Sequence, residues 1–345
     1  MHSTNLIFSL LLILLGIINF ISIKIIINKK LFLLDSHQGP QKIHTTSTSR
    51  AGGVIISLLL LIFSVIHDYI LKTIYFSLIS PFILILIIST IEDIYKPTKP
   101  ILRLLLIFTS SVIFLLNNDI KIEFVIPLFS NLLNIKLVQL FFLVLIIGTV
   151  VNGFNIIDGS NGHTSFIALF SALIIIMTFR ENEVYGLMNL LIVFIVLLII
   201  FLIFNFPSGG IFLGDTGAYF IGWLLSITII YLINNTNEIS NLIFLNILFY
   251  PLTETIFSFF RKIFIGISPF EPDNKHLHLM MIRYLKKNNI KNFNSLNTLF
   301  LSPVWFFPLV ILSFINKSIY NLLGLIIFQI LVYFTTYMIL NRKLD

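Results

Sequence analysis

Residues 184–217 read VYGLMNLLIVFIVLLIIFLIFNFPSGGIFLGDTG. From Val184 to Phe204 no side chain carries a charge. A helix over that run, at 1.5 Å per residue, reaches about 31 Å, enough to cross a hydrocarbon core about 30 Å thick. The run ends at Asn205, and Pro207, Gly209 and Gly210 then lead to Asp215, set between Gly214 and Gly217. An apolar span running into a polar, glycine-rich segment is the unit from which the rest of the chain is read.

Comparable apolar runs extend from Leu6 to Ile27 and from Ile74 to Ile91. With polar punctuation as the divider, helices are expected near 5–27, 51–67, 74–91, 101–116, 138–154, 164–179, 184–205, 218–233, 240–260, 302–316 and 319–340. The expectation is an all-α polytopic integral membrane protein of about 11 crossings, a single domain over 1–345. Composition agrees: 57% of the 345 residues are hydrophobic and 11% charged, against roughly 25% charged in a soluble domain. The first run has only His2 as a basic neighbour and no small-residue cleavage pattern after it, so it reads as a retained helix. Without cysteine there is neither a disulfide framework nor a thiolate nucleophile. The net charge of +7 reads as loop anchoring, and the 14% aromatic content as lipid-facing and packing material. Nucleic acid is not an expected partner, since a stacking platform needs aromatics and cations together on a solvated surface.

Eleven crossings place the termini on opposite sides. If the loop with Lys29, Lys30, Lys42 and Arg50 is cytoplasmic, that side also receives Lys96, Lys99, the basic stretch after Arg261 and the tail with Arg342 and Lys343, in total 17 of the 22 Lys and Arg. The bias predicts an outside N-terminus and a cytoplasmic C-terminus. The stretch 117–136 reads either as an interfacial hairpin or helix, or as a further crossing. The polar motif segments, 28–50, 92–100, 155–163, 206–217 and 261–300, all fall on the inner side.

Glu92 and Asp93 close an apolar helix side by side near Lys96 and Lys99; they are either interfacial acids or a pair that binds a divalent cation or takes a proton beside a phosphate. Asn152, Asn155 and Asp158 recur at intervals of three, which is one helix face if the helix continues that far. A satisfied structural network is the plainer reading of that set. Gly159 and Gly162 allow a tight turn or close approach to a ligand. Asp215 at a helix start is either a cap or a metal-ligating carboxylate whose glycine neighbours admit phosphate. His276 and His278 beside Lys275, and Arg50 before Gly52 and Gly53, suit a diphosphate. No Walker loop, His-Glu-x-x-His or dinucleotide fingerprint occurs. Acids for Mg²⁺, bases for phosphate and a membrane for a lipid converge on transfer of a phosphate-containing group between a nucleotide and a lipid.

The chain resembles, over essentially its whole length, the polyprenyl-phosphate N-acetylhexosamine-1-phosphate transferases. Arg50, Gly52 and Gly53 match that family's Arg-x-Gly-Gly element, preceded by Lys42 and His44; Asp93 matches the second of its paired aspartates. Asn152, Asn155, Asp158 and Gly159 match Asn-x-x-Asn-x-x-Asp-Gly; Phe212, Gly214, Asp215 and Gly217 match Phe-x-Gly-Asp-x-Gly; Pro272, Asp273, His276 and His278 match Pro-Asp-x-x-His-x-His. Four positions depart: Glu92 for the first aspartate, Asn161 for an aspartate, His163 for a leucine and Leu279 for a histidine.

The resemblance implies a multi-pass enzyme of the bacterial cytoplasmic (inner) membrane with its site facing the cytoplasm. It implies transfer of an N-acetyl-amino-sugar 1-phosphate from a UDP-sugar to polyprenyl (undecaprenyl) phosphate with release of UMP, using Mg²⁺ or alternatively Mn²⁺. In this reading Asp215 ligates the metal; Glu92, Asp93 and Asp158 act at the metal or the attacking lipid phosphate. Lys42, His44, Arg50, Asn152, Asn155, His276 and His278 bind substrate. The Arg-Gly-Gly form of the first loop looks more like initiators of O-antigen, enterobacterial or teichoic-type polymers than the muramoyl-pentapeptide branch. A homodimer is left open. Two rival readings stand beside it: a transporter of a phosphorylated solute, which predicts polar residues at the midplane, and a catalytically weakened homologue serving as an assembly partner, prompted by the four departures.

Overall fold

The computed structural model describes residues 2–29, 33, 48–94, 99–122, 130–179, 185–236, 240–271 and 273–344. In chain order its helices are α1 (His2–Lys29), α2 (Gly52–Leu71), α3 (Tyr75–Ile79), a 3₁₀ turn at Ser80–Phe82, α4 (Ile83–Ile94), α5 (Pro100–Asn117), α6 (Ser130–Leu133), α7 (Lys136–Ile157), α8 (His163–Phe179) and α9 (Tyr185–Asn205). They continue with α10 (Gly214–Asn234), α11 (Leu242–Ile247), α12 (Phe249–Phe264), α13 (Leu277–Lys287), α14 (Phe293–Phe300), α15 (Ser302–Phe314) and α16 (Ile319–Leu344). Among the described residues eight helical segments are long and apolar enough to cross a membrane, or nine if the bent pair α14 and α15 is one span. The other three expected crossings coincide with the shorter α8, with α11 and α12, and with α14 and α15, which are bent by 41° against each other. The protein is therefore an all-helical, polytopic membrane protein.

Two expected loops look different in the structure. Within 117–136 the described residues hold only α6, four residues long, far too short to cross; Gln139 clamps the stretch by donating to Ile122 O at 2.6 Å. The expected loop 261–300 is largely helical. α13 buries Leu277, Met280, Met281 and Leu285 and carries Lys286 and Lys287 in its last turn, an apolar stripe with cations at the negative end of the helix dipole.

α10 is the axis of the bundle, buried almost throughout and packed against α7, α2, α4 and α8. Hydrophobic on all sides, it is suited to an interior position. α1 and α16 lie at the periphery with most of their apolar surface exposed, as lipid-facing helices do. Lipid tails are as apolar as leucine, so close packing rather than water exclusion joins such helices, and small residues set how near they come. A Cβ on Gly53 would lie 2.1 Å from Gly217 Cα, and one on Gly153 would lie 2.3 Å from Pro251 O. These contacts bring α2 onto the start of α10, and α7 onto α12, at the end of the bundle where the motifs gather.

Candidate active site

A cavity of about 960 Å³ opens at that end. Its wall contains Arg50, Glu92, Asn152, Asn155, Asp158, Asp215, His276 and His278. Five polar segments that are far apart in sequence therefore meet at one space, and Lys42 and His44 lie outside the described residues.

The first and fourth segments are joined by backbone pairing. Phe212 N–H donates to Ser49 O at 2.7 Å, Gly52 N–H to Phe212 O at 3.0 Å and Gly53 N–H to Leu213 O at 2.8 Å. Gly214 then turns the chain into α10 at φ +75, where a side chain would meet Arg50 O at 2.5 Å, so only glycine fits without strain. Asp215 follows in the first turn of α10. It is held by Asn155, whose Nδ2 donates to Asp215 Oδ1 at 3.2 Å.

α7 ends at Ile157, one residue before Asp158, whose backbone has already left the helix at φ −79, ψ 62. Asn152 and Asn155 thus share the helix while Asp158 stands just beyond it, and all three line the cavity. The turn that follows is tied to its surroundings by amides. Gly162 N–H donates to Asn205 Oδ1 at 2.7 Å, and Asn161 Nδ2 donates to Pro207 O at 2.9 Å. The latter bond gives a physical reason for asparagine at 161, because an ionised aspartate has no donor.

Glu92 and Asp93 separate. Glu92 faces the cavity, buried, with its carboxylate 3.1 Å from Arg103. The Asp93 side chain is fully enclosed, 3.8 Å from Arg50. Its Oδ2 accepts from Thr216 Oγ1 at 3.1 Å and from Thr216 N–H at 3.4 Å. Leu213, the residue before α10, makes no side-chain cap, so Asp93 serves the helix terminus from α4.

A second buried acid does the same for α13, and sequence reasoning missed it. Glu254 on α12 is 1% exposed. Its Oε1 accepts from Leu277 N–H at 3.2 Å and meets His276 Nδ1 at 3.0 Å, while Oε2 accepts from Tyr333 hydroxyl at 3.0 Å. The signal was a lone acid in an apolar helix, PLTETIF, which marks a functional position by default. His276 therefore enters the cavity wall on a fixed side of its ring. His278 follows, with its ring centroid 6.0 Å from that of His276, and Gly159 packs so closely that a Cβ there would lie 2.4 Å from His278 Nε2. Arg103, Lys262 and His163 also line the cavity without having been singled out as site residues. His163 is fully buried, with Nε2 3.3 Å from Tyr250 hydroxyl; Leu279 lines the wall as an apolar side chain.

Burial pushes the Asp158 carboxyl up to about 7, the Thr164 hydroxyl opposing the shift and the Asp215 carboxylate adding to it. Burial and the neighbouring His276 push His278 down to about 3, so it stays neutral. A carboxylate raised by burial and by another carboxylate is one that a cation would stabilise. Among the described residues no three His, Asp or Glu side chains are grouped closely enough for an all-protein metal cage. Mg²⁺ commonly takes one or two carboxylates and completes its shell with water and phosphate. The oxygens of Asp215, Asp158 and Asn155 on one wall fit that mode.

The sequence profile of glycosyl transferase family 4 matches residues 75–233, a stretch that contains Glu92, Asp93, Asn152, Asn155, Asp158 and Asp215. That stretch is similar to glycosyl transferase family 4. Curated relatives carry names related to one another. The chain is 28% identical over 285 residues, 83% of its length and 79% of the relative's, to the undecaprenyl-phosphate alpha-N-acetylglucosaminyl 1-phosphate transferase of Thermotoga maritima. It is 26% identical to the probable undecaprenyl-phosphate N-acetylglucosaminyl 1-phosphate transferase of Bacillus subtilis, over 58% of this chain and 56% of the relative. It is 27% identical to the alpha-N-acetylglucosaminyl enzyme of Escherichia coli, over 39% of this chain and 38% of the relative.

Proposed function

We propose that the chain transfers an N-acetyl-amino-sugar 1-phosphate, GlcNAc-1-phosphate or a close relative, from a UDP-sugar to undecaprenyl phosphate and releases UMP, as the first step of a cell-surface glycan. One observation carries this reading. A single cavity is walled both by Asp158, Asp215, Arg50, His276 and His278 and by apolar side chains of α5, α7 and α12, among them Leu104, Ile107, Phe108, Leu145 and Phe259. Neighbours of these on the same helices, such as Leu105, Phe141 and Phe260, are exposed apolar residues. A polar cleft for a diphosphate therefore runs into a lipid-side wall, which suits one water-soluble and one lipid reactant. The names of the relatives point the same way.

In the reaction a lipid-phosphate oxygen forms a bond to the sugar-bearing phosphorus of the donor. The bond from that phosphorus to the oxygen bridging to the uridine-bearing phosphorus breaks, and UMP leaves with that oxygen. One phosphoanhydride replaces another, so little driving force arises in the step itself. Mg²⁺, or Mn²⁺ in its place, supplies neutralisation of the diphosphate charge when bound at Asp215 and its neighbours. Asn155 orients Asp215. Arg50, His276 and His278 bind diphosphate or sugar, Arg50 by its planar donor fork and His278 as a neutral donor or acceptor. Glu92 and Arg103 flank the approach of the lipid phosphate, and Asp93 acts by holding the start of α10 and Arg50. Positioning and electrostatics are the whole contribution, as in phosphoryl transfer generally.

The eleven expected crossings, with the cavity facing the cytoplasm of a bacterial inner membrane, belong to the same proposal and are supported by the basic bias of the loops. Purified protein in detergent, supplied with undecaprenyl phosphate, Mg²⁺ and a panel of UDP-N-acetyl-amino-sugars, is expected to release UMP and form a lipid-linked sugar diphosphate. Folded protein that releases no UMP from any member of the panel would refute the assignment.

A further inference from the structure

The ends of α12 and α16 enclose a second pocket of about 290 Å³ that shares no wall residue with the first. Arg261, Lys275 and Arg342 contribute three cations to it, joined by Tyr337, Asn341 and Met338. Among the described residues the counter-charge beside it is Asp273, which accepts from Arg261 Nη2 at 2.7 Å and lies 3.8 Å from Lys262 Nζ. Arg261 Nη2 also donates to Ser258 Oγ at 3.2 Å, so its guanidinium is fixed beside the pocket, and three cations against that carboxylate leave a positive surplus that an arriving anion offsets.

What surrounds the pocket narrows the anion. Ile265 and Met338 of its wall are each 53% exposed, and Phe260, Phe264, Leu331 and Ile339 carry exposed apolar surface along the same two helices. Cations at the end of two lipid-facing helices form the pattern that holds a phosphate headgroup at the membrane surface while its chains lie on the helices. We propose that this pocket binds the phosphate headgroup of an anionic glycerophospholipid, with the acyl chains laid along the exposed faces of α12 and α16. It is separate from the site of the transferred phosphate, because Asp158 and Asp215 line only the first cavity. Since Arg261 also holds Asp273, the bound headgroup braces the loop that leads through His276 into α13 and His278.

The test is lipid retention by the full-length, delipidated protein in native mass spectrometry, titrated with phosphatidylglycerol or with phosphatidylcholine. Phosphatidylglycerol is expected to bind the more tightly, with a preference that weakens as salt rises. Arg342→Gln should lower its affinity about fivefold, the effect of roughly 1 kcal/mol for one basic residue near the surface, and Arg342→Glu by more. Arg342 is exposed at the end of α16, and equal thermal midpoints will show that the variants fold. Lys291→Gln, a charge outside the pocket wall, should change nothing. Equal binding of phosphatidylcholine, an unaffected Arg342→Glu, or an equal loss in Lys291→Gln would overturn the proposal. Displacement of the lipid by equimolar glycerol 3-phosphate would also overturn it, by showing a free-anion site. The readout needs no UDP-sugar, so its failure is distinct from failure of the transferase reading.

Discussion

Replacing Glu254 by Gln isolates the charge of the buried acid that aims His276. Glu254 takes three donors: Leu277 N–H at 3.2 Å and His276 Nδ1 at 3.0 Å on one oxygen, and Tyr333 hydroxyl at 3.0 Å on the other. A glutamine with its carbonyl oxygen in the first position keeps two of the three, and its amide then faces the Tyr333 hydroxyl, which can rotate to accept. What is lost is charge assistance. Hydrogen bonds to charged groups are worth about 1.5–3 kcal/mol and neutral ones about 0.5–1.5, so two weakened bonds amount to a loss of about 2 kcal/mol. That lies within the 5–15 kcal/mol stability of typical domains, so the fold should survive with a lower thermal midpoint.

The catalytic effect should exceed the structural one. A loosened His276 costs positioning, where a displacement of about 1 Å can cost about 100-fold. The assay is initial UMP release over a UDP-sugar titration, with folded yield matched by thermal unfolding in detergent. Glu254→Gln is expected to lose between about 10-fold and 100-fold in kcat/KM. Tyr333→Phe removes one donor and leaves the His276 contact, so it should lose about 1 kcal/mol of stability and only a few-fold in turnover. A Glu254→Gln protein that is destabilised yet keeps kcat/KM within about twofold of the parent would refute the positioning argument.

Asp215→Asn preserves shape and weakens cation binding, and should abolish turnover at limiting Mg²⁺ while the protein remains extractable and folded; parental rates there would remove Asp215 from the metal site. Glu92→Gln removes the charge that Arg103 meets at 3.1 Å while keeping an acceptor, and with the Arg103 side chain partly exposed the cost should fall below the roughly 3–5 kcal/mol of breaking a fully buried pair. If Glu92 also serves the lipid phosphate, Glu92→Gln/Arg103→Gln should regain stability without regaining turnover, and recovery of both would make the pair purely structural. His278 is held at about 3 against an ordinary 6.5, so between those values the unfolded chain binds the extra proton. Its contribution is complete above pH 6.5 and falls by up to about 1.4 kcal/mol per pH unit below it; His278→Gln should flatten that part of the thermal midpoint profile, and an unchanged slope would show that other groups cause it. Topology reporters after Asn182 and Asn235 should read outside, and those after Asn161 and Asn288 inside; a cytoplasmic signal at Asn182 would overturn the helix count.

Much of the architecture is legible in the chain because crossing a membrane is a demand on length and composition. A run such as Val184 to Phe204 must satisfy its backbone internally and can do so only as a helix. The motif residues stood out for the complementary reason, since acids, amides and histidines at the ends of such runs are costly to bury unless something pairs with them. Asn152, Asn155, Asp158, Asp215, His276 and His278 could all be picked out before any packing was known, and the structure gathers them at one cavity.

Which of two adjacent residues faces that cavity was not legible. Glu92 and Asp93 are one residue apart, and successive side chains of an α-helix point about 100° apart, so their directions depend on how α4 sits against α10. Packing turns Glu92 to Arg103 and the cavity, and Asp93 to Thr216. The same holds for helix termini. Neither α10 nor α13 has a local side-chain cap, and the buried acids that take Thr216 N–H and Leu277 N–H come from 123 and 23 residues away. Composition and periodicity report on a residue's neighbours along the chain, whereas the charge balance of a buried carboxylate is settled by neighbours across it, and only the tertiary structure brings those together.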